Sequence, residues 1–232
     1  MLTIRDHNVE DYTKLRDMDT TDVAVLDDAD RACLDELGQY LVATDAWERF
    51  SIWLLHKHFE PVDGEVFVES LTAAPRGTET TLAQRCAGFN ATSMRFDARV
   101  DCGVGGVGVI GVEFADAADF GATASLGADD EDVLAGIAER LRAAGKTERF
   151  GVRLIRNPLG ISESEVLLET CDVPQRTLRC SVTVREDACA GHNVETSWQW
   201  KPNSSGTGPS VMQYCATVCM TDADGHHWNS HV

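Results

Sequence analysis

Apolar residues recur at helical spacing in two stretches of the chain that lie 100 residues apart. Positions three and four residues apart fall on one face of a helix, and acidic residues at its start complement the helix dipole. Each stretch begins with such acidic residues, within 27–30 and 129–132. The predicted buried faces consist of Leu34, Leu37 and Leu41 in the first helix and Leu134, Ile137, Ala138 and Leu141 in the second.

Alternating apolar and polar positions, rich in branched residues, follow each helix and predict β-strands. They read SIWLLHKHF and EVFVESL after the first helix, and GVRLIRN and EVLLETC after the second. Each copy is therefore predicted to be a helix, a strand, a turn and a strand. Further strands are predicted at SMRFDARVDC, RTLRCSVTVRED, ETSWQWKP and SVMQYCATVCMTD.

The two stretches align without a gap at an offset of 100 residues, which indicates an internal duplication. Between 24–70 and 124–170, 13 of 47 positions are identical, whereas ordinary compositions would give roughly three by chance. The identical residues of the first copy are Ala24, Leu26, Asp30, Leu34, Leu41, Ala43, Glu48, Arg49, Phe50, Leu54, Glu65, Val66 and Glu69. Because apolar faces must be buried, the predicted fold class is α+β. Two helix-strand-turn-strand units would be related by pseudo-twofold symmetry, with a mostly antiparallel sheet, or sheets, and helices on one face.

A chain of 232 residues suits one large domain or two small ones. The repeat predicts an N-terminal extension over 1–23 and a first α+β repeat over 24–102. A Gly/Ala-rich inter-repeat segment over 103–123 and a second α+β repeat over 124–200 follow. A loop, a final strand and a histidine-bearing tail occupy 201–232.

The formal net charge is -18, from 38 acidic and 20 basic residues. Nucleic acids and anionic membrane surfaces are polyanions, so this charge opposes both as partners. No apolar run approaches the roughly 20 residues that span a bilayer, and the N-terminus lacks the apolar region of a signal peptide. We therefore expect a cytoplasmic protein with a small-molecule substrate or ligand, and a homodimer as one option.

Eight cysteines in such a chain favour thiols or ligands over disulfides. No CxxC pair or zinc-finger spacing occurs among them. Unpaired cysteine is among the most buried residue types, so buried free thiols are predicted.

The run CGVGGVGVIGVEF contains Gly106, Gly108 and Gly111 in the order GxGxxG found in dinucleotide sites. That fingerprint needs a strand, a tight turn and a helix whose N-terminus holds the pyrophosphate. No helical stripe follows here, so we predict a glycine-rich strand or linker and expect no nucleotide cofactor.

The run RFSIWLLHKHFEP places His56, His58 and Glu60 at alternate positions. On a strand these side chains project from one face, and two histidines about 6.6 Å apart can converge on one ion. Glu60 would lie about 13 Å from His56 along a straight strand, so a bend near Pro61 or a neighbouring strand must supply the third ligand. Two histidines and a carboxylate suit iron, zinc or manganese. The alternative is a pair of polar residues on a solvated sheet face.

The second copy reads RNP where the first reads HKH, within an otherwise matched apolar pattern. A polar divergence in a shared scaffold indicates a specialised site, although drift explains it equally. Arg156 would bind a substrate carboxylate through its planar guanidinium. His227, in the terminal DGHHWNSHV, would complete a three-histidine site if the tail folds over the first repeat.

HKH followed by acidic residues and GEVFVE also resembles the first motif of the cupins, which are small β-barrels that often bind metal. The resemblance covers about 15 residues, and Asp63 stands near the position where that family usually has a glutamate. The helix predicted before each hairpin and the repeat boundaries depart from a cupin barrel. The chain is therefore not assigned to that family.

Glu65 and Glu69 recur in the second copy, which favours a structural role or a solvated face over an acid/base pair. Arg49 and Arg149 are predicted to tie helix ends to strands.

The leading hypothesis is a metal-dependent enzyme with a pocket near the repeat interface. His56, His58 and His227 would be ligands, Glu60 a ligand or general base, and Arg156 the substrate anchor. The competing hypothesis is a non-catalytic module that binds a small ligand or another protein and whose histidines are solvated.

Overall fold

A computed structural model describes residues 2–5, 7–18, 23–85, 91–101, 107–120, 126–155, 159–188, 193–203 and 211–220. Within these residues, the strands are β1 (Leu2–Arg5), β2 (Phe50–Leu54), β3 (Glu65–Thr72), β4 (Gly77–Gln84), β5 (Ala91–Asp101), β6 (Val107–Asp116), β7 (Phe150–Leu154), β8 (Glu165–Asp172), β9 (Thr177–Val184), β10 (Val194–Pro202) and β11 (Val211–Cys219). The helices are α1 (Val9–Thr13), α2 (Asp28–Ala43), α3 (Ala117–Phe120), α4 (Ala128–Ala143) and α5 (Arg185–Ala188). Most of the glycine-rich run is therefore a strand, β6.

Ten of the described strands close into a barrel. Hydrogen bonding follows the order β6-β3-β4-β9-β8-β11-β10-β2-β7-β5 and returns from β5 to β6. β1 pairs in parallel with β6 next to β3, outside this ring. The predicted α+β fold, with helices packed on one face of open sheets, is wrong because the sheet closes on itself and buries one face against its own opposite wall.

The 100-residue offset recurs in the strand pairing. β2, β3 and β4 correspond to β7, β8 and β9 at that offset. Exchanging these strands, together with β5 for β10 and β6 for β11, reproduces the same strand order around the ring. The two copies meet in the antiparallel pairs β2–β7 and β4–β9. Ile52 pairs with Val152 in one, and Glu79 pairs with Arg179 in the other. Both pairs join equivalent residues, so the barrel has local two-fold symmetry between its halves.

The long helices α2 and α4 pack on the outside of this barrel. Phe50, Ile52 and Leu54 belong to the apolar cluster that contains both helices, whereas Trp53 packs with residues of β3, β8 and β9. None of these three strands is a neighbour of β2 in the ring. Their side chains can therefore meet Trp53 only across the interior, so the face of β2 that carries Trp53 is the inner face. The predicted apolar faces of both helices are buried. Among the described residues, no helix has the length and apolarity needed to cross a bilayer.

Each long helix is held at its start by the other copy. Asp27 and Asp30 form a capping box, with the amide of Asp30 donating to Asp27 Oδ1 at 2.6 Å. Arg149 Nε donates to Asp30 at 3.2 Å, and Arg49 Nε donates to Asp130 at 2.7 Å. The prediction that these arginines tie helix ends to strands is confirmed, and each reaches across to the opposite copy.

Five cysteines lie in the described parts of the chain, and all five are buried thiols outside any disulfide: Cys33, Cys171, Cys180, Cys215 and Cys219. Burial raises the pKa of Cys33 to about 11 and that of Cys171 to about 12. These two thiols are therefore protonated at neutral pH. The prediction of buried free thiols is confirmed for these five residues.

Candidate metal centre

The HKH sequence lies just beyond a strand, because β2 ends at Leu54. His56 Nδ1 lies 2.8 Å from the carbonyl oxygen of Leu54. A carbonyl oxygen only accepts, so Nδ1 carries the proton and Nε2 of the neutral ring has the lone pair that can bind a metal. The backbone thus sets both the orientation and the tautomer of His56.

The N-terminal segment holds the backbone on which both histidines are mounted. The Lys57 amide donates to the carbonyl oxygen of Arg16 at 2.9 Å. The His58 amide donates to the Tyr12 hydroxyl at 3.3 Å. Tyr12 in turn stacks on Phe67, with ring centroids 4.3 Å apart. Residues before the first repeat therefore position the site.

Cys219 joins the two histidines in one buried cluster. His56, His58 and Cys219 each offer one ligand atom, and these atoms lie within 4.8 Å of one another. The two imidazole centroids are 4.7 Å apart, with the rings inclined by 72°. Cys219 is the last residue of β11, where it pairs with Glu169 of β8. The exposed fractions of the three residues are 0%, 7% and 1%, so the predicted alternative of solvated histidines is wrong.

The structure does not bring Glu60 to this cluster. Its carboxylate is exposed and pairs with Lys57 Nζ, which also lies 3.7 Å from Asp17. The hydrogen bond that Lys57 Nζ donates to Glu60 raises the pKa of Lys57. Arg156 and His227, the other predicted site residues, lie outside the described residues.

The repeated glutamates Glu69 and Glu169 lie inside the barrel, each only 1% exposed. Glu69 accepts a hydrogen bond from Thr78 Oγ1 at 2.6 Å, and Glu169 accepts one from Thr196 Oγ1 at 3.0 Å. A solvated face is therefore the wrong interpretation for this pair. Strand alternation predicted which residues share a face, but not that this face lines an interior.

Arg153 lies between two spaces in the interior, at the position equivalent to Trp53. Its guanidinium lies 3.4 Å from Glu69 Oε1 and 3.3 Å from Thr217 Oγ1. On one side it lines a narrow gap together with His56, and on the other it lines a cavity of about 160 Å³. Sequence reasoning missed this residue, although the alignment of the copies already showed arginine in place of tryptophan.

Two imidazoles and a thiolate can hold a borderline-soft ion such as Zn²⁺ and leave a coordination position open. Cys219 was also missed, because no local pattern connects the end of the last strand with HKH. The described residues thus contain a His/His/Cys group able to bind a metal ion. In comparisons with known proteins, no family model, curated protein or solved structure matches the chain.

Proposed function

We propose that this protein is a metal-dependent enzyme acting on a small molecule, with a transition-metal ion bound by His56, His58 and Cys219. The convergence of three ligand atoms within 4.8 Å, in a buried site, is the observation that supports the proposal. The ligands come from the first copy and from the last strand. Only the closed barrel brings them together.

Zinc fits this donor set best. Manganese prefers oxygen ligands, and an iron site with two histidines requires a carboxylate as third ligand, whereas Glu60 pairs with Lys57. Bonds of about 2.0–2.3 Å place the ligand atoms of a tetrahedral zinc site about 3.3–3.6 Å apart. The ligand atoms now lie within 4.8 Å of one another, so their separations would contract by at most about 1.5 Å, which side-chain rotation can supply. His227 remains a prediction as an additional ligand.

A zinc ion in this position would polarise a substrate oxygen or lower the pKa of bound water. Glu169 lines the same gap as His56 and would accept a proton there. Arg153 lines that gap and the larger cavity, so its guanidinium would orient an anionic group of the substrate.

Metal analysis of untagged, natively purified protein tests the site. We expect about one zinc ion per chain in the wild type. His56→Ala/His58→Ala should abolish binding, and Cys219→Ser should weaken it at least tenfold, since each removes a ligand. A cobalt-loaded sample should show thiolate-to-metal charge-transfer absorption that Cys219→Ser removes.

Two matched variants serve as controls. Cys33→Ser changes another buried thiol. His7→Ala changes a partly buried histidine outside the cluster, whose Nδ1 lies 2.9 Å from the carbonyl oxygen of Gly111. Both should retain the metal. Stoichiometric metal in the folded double-histidine variant would overturn the proposal. Metal-free wild-type protein would favour the alternative of a non-catalytic small-ligand-binding module.

A further inference from the structure

A cavity of about 160 Å³ lies inside the barrel beside the second copy. The matching side chains of the first copy belong to a buried apolar cluster, which also reaches Leu159, Ile161 and Leu167 of the second copy. The side chains that pack together there include Tyr12, Leu15, Trp53, Leu55, Phe59 and Phe67. Tyr12 and Leu15 come from α1 and the residues just after it, so the N-terminal segment plugs the first half of the barrel.

The second copy carries smaller or charged side chains at the matching positions. Trp53, Leu55, Phe59 and Phe67 correspond to Arg153, Ile155, Leu159 and Leu167, and all four of these line the cavity. The differences between the copies therefore lie in the wall of the cavity.

The charged side chains in the cavity wall differ in whether they have a partner of opposite charge. Its carboxylates each have a cationic partner: Glu69 with Arg153, Glu163 with Lys201, and Glu165 with Arg76. Arg185 instead donates to the backbone carbonyl oxygens of Glu163, Glu165 and Cys215. It has no carboxylate partner within the described parts of the chain.

A guanidinium has five N–H donors, and three of those of Arg185 are used by carbonyl oxygens. The remaining donors and the uncompensated positive charge favour an anion in the cavity. Arg153 adds a second guanidinium, held to Glu69 only at 3.4 Å. Ile155, Leu159 and Leu167 supply an apolar wall for the rest of the molecule.

We propose that this cavity binds a small monocarboxylate with an aromatic ring or a branched apolar body. A cavity of about 150 Å³ can hold one six-membered ring, so the available 160 Å³ suits one ring or its aliphatic equivalent. The net charge of -18 disfavours ligands with more than one negative charge. The inference extends the proposed function by naming a substrate class, but it depends on the cavity and not on the metal ion.

Calorimetry and ligand-observed NMR with three probes of similar shape test the charge preference. Benzoate, benzyl alcohol and benzylamine are titrated into the full chain, both as purified and after metal removal. Benzoate should bind at least tenfold more tightly than benzyl alcohol, and benzylamine should not bind. Arg153→Gln should weaken benzoate binding about tenfold and leave benzyl alcohol binding unchanged, which separates loss of charge from loss of fold.

A cavity-filling variant tests the location. Ala216 lines the cavity, so Ala216→Leu should reduce benzoate binding at least tenfold. Ala83→Leu places the same side chain at another half-buried alanine, on β4, and should leave binding unchanged.

Three results would overturn the inference: no binding of benzoate at millimolar concentration, equal binding of benzylamine, or undiminished binding in folded Ala216→Leu. Benzoate binding to metal-free protein would uphold it even if the metal proposal fails. Stoichiometric metal without benzoate binding would reject it while leaving the metal centre intact.

Discussion

At the residue scale, single side chains hold the two copies together. Arg176 of the second copy donates to Glu65 of the first through Nη1 at 3.2 Å and Nη2 at 2.5 Å. The equivalent pair, Arg76 with Glu165, runs in the opposite direction. The Arg176 hydrogen bonds, together with the amide of Val62, hold the pKa of Glu65 below its ordinary value. The charged form of Glu65 is therefore the form that stabilises the fold.

The contribution of Glu65 should depend on pH in a defined direction. Since its pKa is lowered on folding, the stabilisation is present above the unfolded value of 4.5 and is lost as pH falls further. Glu65→Gln should lower the free energy of unfolding by about 1–2 kcal/mol at pH 7, and this loss should shrink steadily between pH 5 and pH 3. Urea denaturation at several pH values measures it, with exposed Glu139→Gln as the control. An equal loss at pH 7 and pH 3 would show that charge is not the cause.

At the scale of elements, α2 approaches β10 through the backbone of a glycine. A Cβ atom on Gly38 would lie 2.3 Å from ring atoms of Trp200. The equivalent position in α4 is Ala138, which is fully buried. The indole of Trp200 therefore sets the distance between helix and barrel in one copy alone.

Gly38→Ala should destabilise the protein despite its better helix propensity. In an isolated helix the change is favourable by about 1 kcal/mol, but overpacking against Trp200 costs about 1–3 kcal/mol. Ala32→Gly, at an exposed position of α2, measures the difference in helix propensity alone. It should lower the free energy of unfolding by about 1 kcal/mol. Urea denaturation should show Gly38→Ala becoming stabilising in a Trp200→Leu background. A stabilising effect with Trp200 present would contradict the packing argument.

At the scale of the whole molecule, closure makes each copy depend on the other. The pairs β2–β7 and β4–β9 join the copies, and the start of each long helix is bound by an arginine of the opposite copy. Separation of the halves would expose strand edges and the apolar interior together. The barrel should therefore behave as one cooperative unit.

We expect the two copies to unfold in a single transition. Trp53 reports on the interior and Trp198 on the helix-covered side, and both are buried. In each variant that retains only one of these two tryptophans, the urea midpoint by fluorescence should coincide with that variant's far-ultraviolet circular dichroism midpoint. Two separated midpoints would mean that the repeats fold independently.

Sequence patterns predicted the elements well and their assembly poorly. The buried helix faces, including Leu37 and Ile137, follow from the 3.6-residue period of a single helix. Alternation likewise predicted β3, β8, β10 and β11. Closure of the ring depends on pairings such as Phe96 with Val152, between strands far apart in the chain. Such pairings leave no periodic signal, so the predicted α+β fold missed that the sheet closes and buries its second face in its own interior.

The sequence by itself determined the duplication, the helix faces, the buried thiols and HKH as a point where the copies diverge, because each is a local pattern or a direct comparison. Only the tertiary structure decided that Cys219 lies beside His56 and His58, that Glu60 forms an ion pair with Lys57, and that Arg153 lines a cavity. The physical reason is that ligand convergence is set by strand order around a closed ring, which places residues together regardless of their separation along the chain.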